Sequence, residues 1–202
     1  MQQIVVNLKI QQVFLLALYS KKSLKAKFMK KQLILLLLIL STQVTAQVLI
    51  SPVDAMKENY DLSATISKKN ILLSGSKYKH IQQSARTKLT TKIYRIFTAK
   101  KDEIILGYGV LINRKVRSKN AVVLYFIKDS ILLDIEIIAF NEPREYLPSK
   151  KWNAQFRDIQ TDKILQLNRD IPSISGATMS ARSVIDGSRI AFAIYNELLK
   201  GE

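Results

Sequence analysis

The chain contains no cysteine and a single histidine, His80. The first absence excludes disulfides, iron–sulfur clusters and thiolate-ligated metals. It also excludes anchoring as a lipoprotein, which needs a cysteine at the cleavage point. The second leaves no histidine cluster at metal spacing, and there is no nucleophile elbow. A hydrolase is not expected, and His80, on the polar side of its segment, is given no catalytic role. Glycine and proline are sparse, at 6 and 4 residues. No linker rich in either, and no internal repeat, divides the chain. Long apolar runs are missing as well. Leu33–Leu40 is eight residues, against the ~20 needed to cross a bilayer, and the stretch from Val13 to Tyr19 is shorter still.

Acidic residues are few. There are 16 Asp and Glu against 32 Lys and Arg, for a formal charge of +16. The excess is not evenly spread. Residues 1–46 hold seven of the 32 basic residues and none of the 16 acidic ones, so residues 47–202 hold 25 against 16, or +9. Within the leader, "MKKQLILLLLILSTQVTA" (29–46) has a basic start, a short apolar run and a small-residue end at Ala46. That is the order of a secretory signal peptide. Cleavage after Ala46 is expected, with Met29 as the start and residues 1–28 as an upstream extension. Without cleavage, the signal would serve as an anchor. The product belongs outside the cytoplasm, in the periplasm or on the outer side of the membrane. Export and the lack of a recognition motif argue against nucleic acid as a partner. The scattered lysines that remain (Lys68, Lys69, Lys77, Lys79, Lys100, Lys101, Lys115, Lys119) read as a solvated surface.

Hydrophobic residues make up 48% and charged ones 24%, a balance typical of a globular domain. Residues 47–202 are read as one domain. Pro52 to Tyr60 predicts a short helix with proline at its start. Residues 64–73 are weakly strand-like, and 77–88 predict a second helix. Four clear strands follow: 91–99, 103–113, 121–128 and 131–140. They are rich in β-branched and aromatic residues and are joined by hairpin-length connections at Lys100–Asp102 and Asp129–Ser130. Asp134 and Glu136 fall on one face of the last strand and are expected to be solvated. Gly107 and Gly109 flank Tyr108 inside a strand, which marks either a bulge or the close approach of a ligand. "SKKWNAQF" (149–156) predicts a short helix with Trp152 and Phe156 on one face. From Thr178 to Leu199, apolar residues recur at steps of three and four, the stripe of a helix lying on a sheet. The class is α+β: an antiparallel meander packed by a C-terminal amphipathic helix and shorter helices.

The junction before that helix reads "SGAT", Ser175-Gly176-Ala177-Thr178. On one reading, Ser175 or Thr178 caps the helix, although neither is followed three residues on by Glu or Gln. On the other, the free N–H groups of the first turn hold an anion. Gly176 would then admit the ligand, Thr178, Ser175 and Ser180 would offer hydroxyls, and Arg182 would pair with a phosphate one turn on.

The stretch "SISGATMSARSVIDG", following a meander and "WNAQF", resembles the FMN-binding domain family. That domain occurs in the flavin subunits of sodium-pumping NADH:quinone oxidoreductase and Rnf complexes and in small exported flavoproteins. The resemblance covers about 91–199. It is sharpest at Ser175–Ser180, against the family's Ser/Thr-Gly-Ala-Thr-x-Ser/Thr signature, and looser at Gly107-Tyr108-Gly109. It implies FMN esterified to Thr178 by a flavin transferase, with the isoalloxazine ring against Tyr108, Trp152 or Phe156. One position departs from the family. The acid usually found three residues before the signature is Pro172 here, and the nearest acid is Asp170. Covalent and non-covalent FMN therefore both stand as expectations.

The function implied is electron transfer by an exported flavoprotein, a carrier rather than a stand-alone enzyme, with a separate donor and acceptor. The alternative is a non-redox envelope module, binding or scaffolding, with a degenerate or non-covalent flavin site.

Overall fold

The computed structural model describes residues 48–201. The proposed signal, the upstream extension and the cleavage point lie outside them. Contacts divide the chain into Met1–Thr45 and Ala46–Glu202, and the description that follows concerns the second unit.

Six strands form one antiparallel meander in chain order: β1 (Thr65–Leu72), β2 (Ile93–Lys101), β3 (Ile104–Lys115), β4 (Asn120–Lys128), β5 (Ile131–Phe140) and β6 (Ile159–Gln160). The helices are α1 (Pro52–Asn59), α2 (Gly75–Ala85), α3 (Lys150–Asn153) and α4 (Thr178–Leu198). This is the α+β architecture expected from the pattern. β6 is a strand that the sequence pattern does not predict, and the reason is length. Its two residues owe their strand geometry to pairing with Ile131 and Leu132, and two residues carry no periodicity.

The two tight hairpins turn at Asp102–Glu103 and Asp129–Ser130, all four residues at positive φ (47°, 65°, 50° and 64°). A two-residue hairpin loop demands that backbone. The first turn falls later than Lys100–Asp102 because β2 runs on through Lys101.

The period-2 alternation gives the sheet two apolar faces. Tyr94, Ile96, Val110, Ile112, Val123, Tyr125, Ile135 and Ile137 join the larger core with α2 and α4. Phe97, Ala99, Leu124, Phe126 and Ile138 join a smaller one with Ala55 and Met56 of α1. Helix α1 explains the two strand glycines. A Cβ on Gly107 would overlap the Tyr60 ring, and one on Gly109 would overlap the Met56 thioether. The close approach is made by the protein's own helix, not by a ligand. The Tyr60 hydroxyl completes the contact by donating to the carbonyls of Tyr108 (2.8 Å) and Ile127 (3.1 Å). The pairing of β2 with β3 also shifts register beside Gly107, between Ala99 and Lys100.

Helix α4 is buried more widely than a single stripe. Ser180, Ser183, Gly187, Ile190, Ala193 and Ile194 are buried in addition to the residues of the apolar repeat. The sheet and α2 cover part of it, and residues 165–167 share a cavity with Ile185. Gly187 is placed by this packing. Its missing Cβ makes room for the Tyr125 hydroxyl, which donates to the Val184 carbonyl at 2.8 Å. Asp134 is not simply solvated, because it accepts two hydrogen bonds from Arg157 at 3.0 and 2.7 Å. Burial pushes the half-buried Glu136 carboxyl above its usual range, with Lys150 opposing the shift. No described helix is long and apolar enough to cross a membrane.

Candidate functional site

Helices α1, α2 and α3 each begin on a serine. Ser51, Ser74 and Ser149 accept from Val53, Lys77 and Trp152 N–H at 3.3, 3.3 and 3.2 Å. Helix α4 does not follow this pattern. Its N-cap is Ala177, with no side-chain cap. Neither Ser175 nor Thr178 plays the capping role that one reading gave them. Ser175 lies two residues too early, and Thr178 already belongs to the first turn. Among the described residues, the Thr178 and Met179 N–H groups have no acceptor, whereas those of Ser180 and Ala181 return to the Ala177 carbonyl. The longest described helix therefore presents two free donors and the positive end of its dipole to the surface.

A tight turn delivers the chain to that point. The Ala177 N–H donates to the Ile174 carbonyl at 3.0 Å, and Gly176 sits at φ +74°. Positive φ at the third position of a turn selects glycine. A Cβ there would touch nothing within 4 Å, so conformation rather than crowding selects the residue. Upstream, the Trp152 indole donates to the Pro172 carbonyl at 2.9 Å, and Ser173 N–H donates to Asn168 at 2.8 Å. Asp170 turns away into its own loop, accepting from Gln166 N–H at 2.8 Å and pairing with Lys163 and Arg169. Burial pushes the Asp170 carboxyl up, but these partners outweigh it and hold the group below its usual range.

The α4 start opens on a cavity of about 280 Å³. Gly176, Ala177, Thr178, Met179 and Ser180 form one wall, and Val116, Arg117, Glu142 and Tyr146 the other. Thr178 is exposed. Ser180 is 1% exposed, and its hydroxyl has no partner. Glu142 closes the turn between β3 and β4. Its carboxylate accepts from the N–H groups of Arg117, Ser118 and Lys119 at 3.0, 2.5 and 2.7 Å. The Lys119 amide above all, together with those of Ser118 and Arg117, outweighs the cost of burial and holds its carboxyl below the usual range. The acid is thus committed to backbone donors, and the Arg117 side chain remains at the exposed rim.

Of the residues singled out from sequence, Gly176, Ala177, Thr178 and Ser180 share this cavity. Ser175 is exposed on the turn beside it. Arg182 lines a different cavity. The three aromatic residues do not line the site. Phe156 is fully buried, and Trp152 stacks edge-on against it at 5.2 Å. Tyr108 stacks on Tyr195 at 6.0 Å. Tyr195 lies 17 residues along α4 from Thr178, about 25 Å at ~1.5 Å per residue. The aromatic residue that does line the cavity is Tyr146, which sequence reasoning passed over along with Arg117 and Glu142. Their only signal was proximity to turns, at Pro143 and at the break after β3. No group of three or more metal-ligating side chains occurs among the described residues.

The chain matches no family model and no curated protein.

Proposed function

We propose that the chain is an exported electron carrier that holds FMN through a phosphoester on Thr178. The observation that carries the reading is the open start of α4. An exposed threonine hydroxyl stands beside two free N–H groups, over a buried serine hydroxyl that lacks a partner. The flavin transferase would move the FMN phosphoryl group from an activated flavin nucleotide to the Thr178 oxygen, the donor's phosphoanhydride bond breaking, its nucleotide half leaving and the hydroxyl proton passing to solvent. The Thr178 and Met179 N–H groups donate to the phosphate oxygens, and the helix dipole favours their charge. Ser180 donates from below, and Arg117 adds positive charge at the rim. Tyr146 is the aromatic contact, in place of Tyr108, Trp152 and Phe156. Trp152 acts through Pro172, holding the segment that leads into the turn. When bound, FMN takes up and passes on one or two electrons, and the donor and acceptor are separate proteins. A covalent link keeps the cofactor from being lost outside the cytoplasm.

A non-redox envelope module is favoured by one observation. About 280 Å³ lies just under the ~300–1,000 Å³ of most ligand pockets, so it suits a phosphate-bearing end better than a whole flavin. The deciding experiment is intact mass and in-gel flavin fluorescence of the exported protein. It is made with and without a flavin transferase, beside Thr178→Ala. A transferase-dependent FMN adduct that is lost in the alanine variant supports the carrier. An unmodified Thr178 in the presence of active transferase rejects the ester. Absence of FMN binding in a subsequent titration leaves the non-redox module.

A further inference from the structure

Arg182, one turn on from Thr178, lines a second cavity of about 330 Å³ together with residues 165–167. Arg182, Asp186 and Arg189 are four and three residues apart, so they share one side of the helix. Leu165, Leu167 and Ile185 supply apolar lining, and Gln166 an amide. The segment 165–167 is held in place, with Gln166 N–H on Asp170 at 2.8 Å and Leu167 bridged to Ile171. No residue lines both cavities.

The charges here do not balance. Asp186 is matched by two cations, Arg114 at 3.2 Å and Arg189. Asp170, which accepts from Gln166 N–H, is also matched by two, Lys163 and Arg169. Among the described residues, Arg182 pairs with no carboxylate. The Nε atoms of Arg114 and Arg189 are buried without an acceptor. A buried donor of a charged group left unpaired is costly, and an incoming anion lowers that cost by neutralising the surplus charge.

We propose that this cavity binds a small organic monoanion, a carboxylate carrying a short apolar body. The carboxylate accepts from the Arg182 guanidinium and from the Arg189 N–H groups not committed to Asp186. The Gln166 amide adds a polar contact, and the apolar body lies against Leu165, Leu167 and Ile185. A bare phosphate would satisfy the arginines and make no use of the apolar part of the lining, which is why the ligand needs both parts.

The test is calorimetric titration of the full chain carrying Thr178→Ala, so that the outcome does not depend on flavin at the other cavity. The probes are benzoate, benzyl alcohol and inorganic phosphate. Benzoate is expected to bind, and the other two to bind at least about tenfold more weakly. Arg182→Gln is expected to weaken benzoate by about tenfold or more, the usual loss for a hydrogen bond to a charged group. Leu167→Ser should weaken it as well, and Arg117→Gln, at the first cavity, should leave it unchanged. No benzoate binding, equal binding of phosphate or benzyl alcohol, or an unchanged affinity in Arg182→Gln overturns the proposal.

Discussion

Gly187 lies in the interior of α4, where replacing glycine by alanine ordinarily stabilises a helix by about 1 kcal/mol. Here the reverse is expected. The added Cβ would overlap the Tyr125 hydroxyl and come within 3.0 Å of its ring carbon Cζ. Tyr125 is 1% exposed, so its ring has nowhere to move without displacing core neighbours. Overpacking of this kind costs about 1–3 kcal/mol. Driving the hydroxyl off the Val184 carbonyl leaves a buried donor unpaired, at about 1–3 kcal/mol more. After subtracting the helix gain of about 1 kcal/mol, the net loss centres on about 3 kcal/mol. For a domain of this size, that lowers the melting temperature by roughly 6–12 °C. The assay is thermal and urea unfolding of Gly187→Ala, Tyr125→Phe and the double variant. Phenylalanine removes the oxygen that the new methyl meets, so the alanine should cost about half as much or less in that background. A Gly187→Ala protein as stable as the parent, or an alanine cost that is the same in the parent and in the Tyr125→Phe background, would refute the packing argument.

Two further outcomes follow from the same kind of reasoning. Gly109→Ala, whose Cβ overlaps the Met56 thioether and comes within 3.1 Å of Leu124 Cδ1, is expected to destabilise by about 1–3 kcal/mol and to speed proteolysis near α1. Gly75→Ala, where a Cβ meets nothing within 4 Å, should be neutral, and equal unfolding curves for the two variants would remove the assigned role of Met56. Glu142 contributes stability through its carboxylate, because its folded-state pKa lies below the unfolded value. That contribution is present above pH ~4.3, the unfolded value, and is lost as pH falls through the folded one. Melting temperatures of the parent and Glu142→Gln should therefore differ near neutral pH and converge in acid, and a constant gap across a pH series would contradict this account.

Much of the fold was legible because it rests on local pattern. The strands at 121–128 and 131–140 lie within a residue of β4 and β5, since β-branched alternation bounded by a tight turn leaves little freedom. Pro52 and the apolar repeat from Thr178 marked α1 and α4 for equally local reasons. Features that depend on a distant partner were not legible. Gly107 and Gly109 look alike whether a ligand or a helix approaches them, and only α1 packing on the second face decides between the two. Gly187 reads as a flaw in a helix until Tyr125, 62 residues earlier in the chain, is seen to occupy its space.

The candidate site divides along the same line. Thr178, Gly176 and Ser180 were legible as neighbours in sequence that a helix start must keep together. Their cavity partners Arg117, Glu142 and Tyr146 come from two separate turns and had no pattern to announce them. The aromatic residues named as ring contacts lie elsewhere than this cavity, for a physical reason. Tyr108, Trp152 and Phe156 are the kind of side chain that a core of this size claims first, and all three belong to the larger core. What lifts the α4 start above an ordinary helix end is comparison within the molecule. Three helices are closed by serine, so the sequence has the means to cap. At α4, serine is held two residues short of the capping position by a turn that needs glycine at φ +74°. The fold thus keeps two N–H groups free next to an exposed threonine, and Thr178→Ala is the substitution that separates a ligand's requirement from a merely untidy helix end.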